Sequence, residues 1–169
     1  MTAADDPVNS AGDAAWTDAR QSATALEIQR GVVRLLIQHG YASVTELPLP
    51  NGRRGDVTGL SESGEIWIVE IKSSIADFRV DQKWPEYREF SDRLYFAVKP
   101  DFPVDILPPD TGLILADRYG GEIVRPAPEH RLAGARRKSM TLRIARAGAF
   151  RLSALLDPSL PAMIEPEGM

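Results

Sequence analysis

The sequence predicts an α/β domain whose mixed central sheet is flanked by helices. Residues 24–38 carry apolar side chains at helical spacing and are followed by Gly40, a pattern that indicates a helix and its end. Several later runs are apolar and β-branched, as in "EIWIVEIK" and "RLYFAV", and such runs are typical of buried strands. The order helix, three strands, helix, strand is an α/β arrangement.

The first half of the domain consists of one helix and three strands. The predicted core-facing residues of the helix over 24–38 are Leu26, Val33, Leu36 and Ile37. The extended runs that follow are "YASVTELPL", "RRGDVTGL" and "EIWIVEIK". The polar turn "SESGE" joins the second run to the third, so a β-hairpin is the simplest interpretation.

The second half contains further helical and extended segments. The polar stretch "DFRVDQKWPEYREF" predicts a helix, with Pro85 at a first helical position. We expect a strand at "RLYFAV", a loop at "KPDFPVDILPP" and a hairpin at "GLILADRYGGEIVRP", turning around Tyr119 to Gly121. The segment "ARRKSMTLRIARAGAFRLSALL" predicts a basic helix.

The chain has the length of a single domain. We expect the domain over residues 21–152, a mobile leader over 1–20 and a loose tail over 153–169. The absence of cysteine from the 169 residues excludes disulfides and thiolate metal sites. No signal peptide and no apolar stretch of membrane-spanning length is evident, so we expect a cytoplasmic protein without a membrane partner.

Positive charge is concentrated near the C-terminus of an acidic protein. The net charge is −4 and the pI is near 5.2, yet the segment Arg125 to Arg151 carries eight Arg or Lys residues against the single acid Glu129. Such a segment suits the DNA backbone, or else forms a solvated helix face paired with acids elsewhere. The candidate phosphate contacts are Arg136, Arg137, Lys138, Arg143 and Arg146.

The predicted hairpin brings two carboxylates together. Any odd-length loop centred on Ser63 pairs Leu60 with Ile66 and places Asp56 opposite Glu70. Opposed like charges destabilise a strand pair unless one is protonated or a cation lies between them. Hard divalent cations prefer oxygen ligands, so the pair is a candidate site for such a cation.

Lys72 adds an ammonium to this pair. It lies two residues after Glu70 on the same strand face, and Arg54 falls opposite it. Two carboxylates with an adjacent ammonium are suited to metal-assisted hydrolysis of a phosphodiester. An ordinary cross-strand ion cluster is the alternative, because an acid followed by E-x-K is a degenerate pattern.

The arrangement of these motifs resembles a known family. The element order, with Asp56 on one strand and "EIK" on the next, resembles the PD-(D/E)xK (restriction-endonuclease-like) nuclease superfamily, although Gly55 stands where its name expects proline. The blocks "NGRRGDV", "GEIWIVEIKSS", "DFRVDQKWPEY" and "APEHRL…ARRKSMTLR" resemble the MmcB-type DNA repair proteins of bacteria. The resemblance implies that Mg²⁺ or Mn²⁺ is held by Asp56, Glu70 and the Ile71 carbonyl, with Lys72 as the catalytic lysine.

The superfamily also directs attention to residues around this core. A helix carboxylate often approaches the metal, which makes Glu27 a further candidate ligand beside the core-facing Leu26. Lys83 and Tyr87, four residues apart on a helix, are expected to approach the site or the DNA. Trp84 either stacks a base or docks its helix on the sheet. The hydroxyls of Ser73 and Ser74 either contact phosphate or cap the next segment.

These observations predict a Mg²⁺- or Mn²⁺-dependent deoxyribonuclease that acts in DNA repair in the bacterial cytoplasm, associated with the nucleoid. One active site per chain implies two copies, such as a homodimer, or two visits for double-strand cleavage. The alternatives are a DNA-binding scaffold that keeps the nuclease fold without cutting, and a structural α/β protein whose charges form a surface ion network.

Overall fold

The computed structural model describes residues 22–160, so the predicted leader and the last nine residues of the predicted tail lie outside it. Within residues 22–160 there are three α-helices and six strands, with two short 3₁₀ helices at Trp84–Glu89 and Val104–Ile106. Their order is α1 (Ala23–Gln38), β1 (Tyr41–Pro48), β2 (Arg54–Ser61), β3 (Ile66–Ile71), α2 (Ile75–Val80), β4 (Arg93–Val98), β5 (Gly112–Ala116), β6 (Gly121–Arg125) and α3 (Gly134–Leu156).

The six strands form one mixed sheet whose spatial order is the chain order, β1 to β6. The pairs β1–β2, β2–β3 and β5–β6 are antiparallel, whereas β3–β4 and β4–β5 are parallel. The predicted mixed sheet and both predicted hairpins are therefore confirmed. In the first hairpin Leu60 faces Ile66 and Val57 faces Val69, which is the predicted register.

Helices cover both faces of the sheet. The odd-numbered residues of β3 pack against α1, in a cluster with Ile28 and Val32. The even-numbered residues Ile66 and Ile68 pack on the other face against Met140 of α3. This division follows from the alternation of side chains along a strand. Within residues 22–160, no helix is long and apolar enough to cross a membrane.

The buried side of α1 differs from the prediction. Leu26 and Ile37 are 50% and 63% exposed, whereas the buried residues of the helix are Ile28, Gly31, Val32, Leu35 and Leu36. Gly31 marks the contact side, because a Cβ there would lie 2.1 Å from the carbonyl oxygen of Asp117. The apolar pattern alone did not show that the helix backbone touches the β5–β6 turn at a glycine.

The segment between β3 and β4 contains two short helical elements where one helix was predicted, and the second begins close to Pro85, as predicted. It forms α2, then an extended stretch, then the 3₁₀ helix Trp84–Glu89, in which Pro85 is the second residue. Proline lacks an amide donor and clashes with the carbonyl four residues earlier, so a continuous helix cannot pass through it. The predicted basic helix is confirmed as α3, which ends at Leu156, past the domain limit expected at residue 152.

Candidate active site

A cavity of about 380 Å³ opens where β3 ends, beside the first turn of α1. Four carboxylates and one ammonium line it, together with small residues and the last residue of the strand. The lining residues are Ser22, Ala25, Asp56, Glu70, Ile71, Lys72, Ser73, Asp77 and Asp81.

Asp56 and Glu70 each bind the backbone of the other's strand. The Asp56 carboxylate accepts a hydrogen bond of 2.7 Å from the Ile71 amide, and Glu70 Oε1 accepts one of 3.4 Å from the Asp56 amide. These side-chain bonds begin where the regular β2–β3 ladder ends, at Val57 and Val69. The structure therefore brings the two acids together, as the hairpin register predicts.

Both acids protonate more easily than a free carboxyl group. Burial is the main cause for Glu70, which is 3% exposed, and the negative charge of Asp56 raises its pKa further. Burial also raises the pKa of Asp56 to about 6, against the opposing effects of the Ile71 amide and Lys72. A bound cation would stabilise both carboxylates in their charged form.

Lys72 is buried in the same cavity and ion-paired to a residue that sequence reasoning missed. Its Nζ lies 2.5 Å from Asp81 Oδ2 and 3.9 Å from Glu70 Oε2. Burial opposes its charge, but Glu70 and Asp81 together raise the pKa of Lys72, so the ammonium form is kept. Asp81 follows α2 in a polar stretch without periodicity, and no sequence signal linked it to a lysine nine residues earlier.

Ser73, Ser74 and Asp77 serve the start of α2. Ser74 Oγ accepts a hydrogen bond from the Asp77 amide, and the Asp77 carboxylate accepts from the amide and hydroxyl of Ser73. This reciprocal pattern is a helix N-terminal cap. Of the two predicted roles of the serines, the structure therefore shows capping.

The donor set suits a hard divalent cation held mainly by two carboxylates. Asp77 and Asp81 already accept hydrogen bonds from Ser73 and Lys72. Residues 22–160 contain no group of three or more His, Cys, Asp or Glu side chains arranged to hold a metal. Asp56 and Glu70 each use one oxygen to accept a backbone amide and have a second carboxylate oxygen besides, which matches the one or two carboxylates that Mg²⁺ takes beside water and phosphate.

The comparisons with known proteins identify the family of the chain. The family model of DNA repair proteins described as MmcB-like matches residues 12–159. The chain belongs to the MmcB-like family. The solved structure of SPO1766, a protein of unknown function from Silicibacter pomeroyi, is 47% identical with a TM-score of 0.80, and the match covers 87% of this chain and 99% of that chain. No curated protein matches at a significant level.

Two predicted site residues of this MmcB-like chain lie elsewhere. Arg54 is 65% exposed and ion-paired with Glu46. It pairs with Pro48 of β1, whereas the β2–β3 ladder ends at Val57 and Val69, so its predicted position opposite Lys72 is wrong. Glu27 is ion-paired with Lys99 at 2.8 Å and does not line the cavity. The sequence pattern gave the register of the hairpin but not the point at which β2 and β3 separate.

Tyr87 approaches the carboxylates of the cavity, whereas Lys83 does not share its face. Tyr87 is buried, its hydroxyl donates to the Arg54 carbonyl, and burial together with the charge of Glu70 raises its pKa. Lys83 is exposed. Because a 3₁₀ helix has three residues per turn, residues four apart differ by about 120° in direction. Trp84 packs edge-on against Phe96, which is the docking role.

The arginines of α3 mostly fasten the helix to the rest of the domain. Arg136 pairs with Glu89 at 3.1 Å, and Arg137 forms two hydrogen bonds with Asp92. Arg143 donates to the Pro48 carbonyl. The interpretation as a helix face paired with protein acceptors therefore describes these three arginines. The other two candidates for phosphate contact, Lys138 and Arg146, are exposed on α3.

The raised pKa of Asp56 predicts a pH dependence of stability. An acid with a higher pKa in the folded state than in the unfolded state, here about 6 against 3.8, stabilises the fold at low pH and loses that contribution as the pH rises. Without divalent cations, we expect Asp56→Asn to gain about 1–3 kcal/mol over the wild type between pH 4 and 6.5. Urea unfolding at several pH values measures this, and a constant difference would contradict it.

Proposed function

We propose that this chain is a Mg²⁺- or Mn²⁺-dependent deoxyribonuclease of DNA repair with a PD-(D/E)xK-type active site. Asp56 and Glu70 would hold the cation, with the Ile71 carbonyl as the third protein oxygen. The observation that carries the proposal is the pair of carboxylates, Glu70 buried and Asp56 half-buried, that each bind the backbone of the other's strand, with the Lys72 ammonium 3.9 Å from Glu70. Family membership supports DNA as the substrate.

In the proposed mechanism the residues of the cavity have different roles. When bound, the divalent cation would supply an activated water and neutralise charge on the phosphate. Lys72 would donate hydrogen bonds to a phosphate oxygen as negative charge develops there. Asp81 holds this lysine charged and directed into the cavity. The burial of Glu70 and Lys72 strengthens the charge interactions in which they take part.

A second candidate function, a DNA-binding scaffold without cleavage, has one specific observation in its favour. The Lys72 ammonium is already paired with Asp81 at 2.5 Å, so a phosphate oxygen has to compete with a carboxylate for it. A structural ion pair would look the same. The two functions differ in whether DNA is cut once Mn²⁺ is bound.

DNA cleavage with Mn²⁺ tests the proposal. We expect the wild type to cut or nick plasmid or branched DNA, and Lys72→Met to lower the rate by about 100-fold or more, because one charge-stabilising donor is lost. Arg131→Met removes one positive charge at an exposed position and serves as the control.

Each contrary result has a defined meaning. Cleavage that survives in Lys72→Met would come from a contaminating nuclease or from another mechanism, and would overturn the role of Lys72. A wild-type protein that binds Mn²⁺ and DNA but cuts no form of DNA would establish the scaffold function instead.

A further inference from the structure

We propose that the outer side of α1 carries a DNA strand away from the active site, with Arg30 and Arg118 as the phosphate contacts. This inference rests on the proposed function, because it takes DNA as the ligand of the cavity at β3. It places the DNA-binding surface on α1 rather than on α3.

A groove of about 610 Å³ runs along this side of α1. Its position is fixed by the helix, because Ser22 and Ala25 line the active-site cavity and the next turns line the groove. With a rise of 1.5 Å per residue, Arg30 lies about 8 Å along the helix axis from Ala25. The residues that line the groove are Leu26, Glu27, Gln29, Arg30, Val33, Arg34 and Arg118.

The groove is positively charged although the chain as a whole is acidic. Arg30, Arg34 and Arg118 line it, and the acid Glu27 is neutralised by Lys99 at 2.8 Å. Asp117, in the β5–β6 turn, contributes one negative charge near the groove, and its carboxylate accepts hydrogen bonds from the Tyr119 and Gly120 amides. The balance stays positive, which suits a row of phosphates.

Arg34 holds the β5–β6 turn at this groove. Its guanidinium donates to the carbonyls of Arg118 and Tyr119, at 3.1 and 3.0 Å. The same turn presents an aromatic ring, because Tyr119 is 72% exposed, and the Arg118 guanidinium lies 5.2 Å from the centre of that ring. A basic groove beside an exposed aromatic ring is the usual equipment for single-stranded nucleic acid.

Polar and apolar groups complete the surface. Leu26 is 50% exposed in the groove and offers an apolar contact for a sugar. Gln29 adds a polar side chain to the lining of the groove. A partner with phosphates, sugars and flat bases meets each of these features.

The test compares two variants that lose the same charge. Arg30→Gln/Arg118→Gln removes two charges from the groove, and Lys138→Gln/Arg146→Gln removes two from the exposed surface of α3. Fluorescence anisotropy with single-stranded DNA in EDTA, over a series of salt concentrations, gives the affinities. We expect the groove variant to bind about tenfold or more weakly, with a salt slope lower by about 1.4, and the α3 variant to change less than twofold.

The outcomes separate this inference from the proposed function. If the wild type binds and cuts DNA while the groove variant binds as tightly, or if the α3 variant shows the loss, the groove assignment is wrong and the nuclease stands. If the wild type does not bind DNA at all, DNA is not the substrate, and both the proposed function and the groove assignment are wrong. Thermal melting of both variants checks that they are folded.

Discussion

Glu70→Gln is expected to abolish Mn²⁺ binding and DNA cleavage while making the metal-free protein more stable. Glu70 is 3% exposed, and burial together with the charge of Asp56 makes its ionised form costly. Glutamine has the same shape and keeps an oxygen for the Asp56 amide, so it removes the charge with little change in packing. We therefore expect the metal-free variant to unfold at a higher urea concentration than the wild type at pH 7.5, because it no longer buries a charge.

The expected effect of Glu70→Gln on DNA cleavage is opposite in sign to its effect on stability. Removing one of two carboxylate ligands from a site that depends on them should lower cleavage by at least about 1,000-fold. Calorimetry with Mn²⁺, urea unfolding in EDTA and plasmid cleavage measure the three quantities on the same preparation. Opposite signs for stability and activity are typical of a site that is kept for function at a cost to the fold.

Glu62→Gln is the matched control, because it makes the same chemical change at an exposed position in the β2–β3 turn. It should leave Mn²⁺ binding, cleavage and stability close to those of the wild type. A Glu70→Gln variant that is destabilised, and that still binds Mn²⁺, would show that Glu70 is a structural partner of Lys72. The cation site would then have to be abandoned.

The part of the site set by local pairing could be predicted from the sequence. A short polar turn between two apolar runs fixes the register of a hairpin, and this register brought Asp56 to Glu70. The ion pair of Lys72 with Asp81 could not be predicted in this way. It depends on how α2 ends and on where the chain turns before Pro85, which are tertiary features.

Charge patterns were a weaker guide than strand patterns. The basic residues of α3 and the acids that they meet are far apart in the sequence, as with Arg137 and Asp92, which are separated by 45 positions. An arginine that binds a phosphate and one that fastens a helix therefore look alike in a sequence. The apolar residues of α1 were ambiguous for a related reason, since Leu26 and Ile28 both fit a helical period and only packing shows which is buried.

Asp92→Ala is expected to destabilise the protein by about 3–5 kcal/mol, because it leaves a buried charge network without its acceptor. Asp92 is 1% exposed, and its two oxygens accept from the amides of Ile66 and Leu132. The same oxygens accept from both Nη atoms of Arg137, at 2.7 and 2.6 Å, and so join β3, β4 and α3. Urea unfolding at pH 7.5 measures the loss.

Two comparisons make this expectation specific. Glu89→Ala breaks the more exposed pair with Arg136 and should cost less than about 1 kcal/mol. In a double-mutant cycle, Asp92→Ala and Arg137→Ala should be coupled by about 0.5–3 kcal/mol, because each removes the other's partner. Additive losses, or a loss under 1 kcal/mol for Asp92→Ala, would show that Arg137 is not fastened in solution, and would return it to the candidates for DNA contact. Arg137 therefore has either a structural or a DNA-binding role, and the double-mutant cycle distinguishes the two.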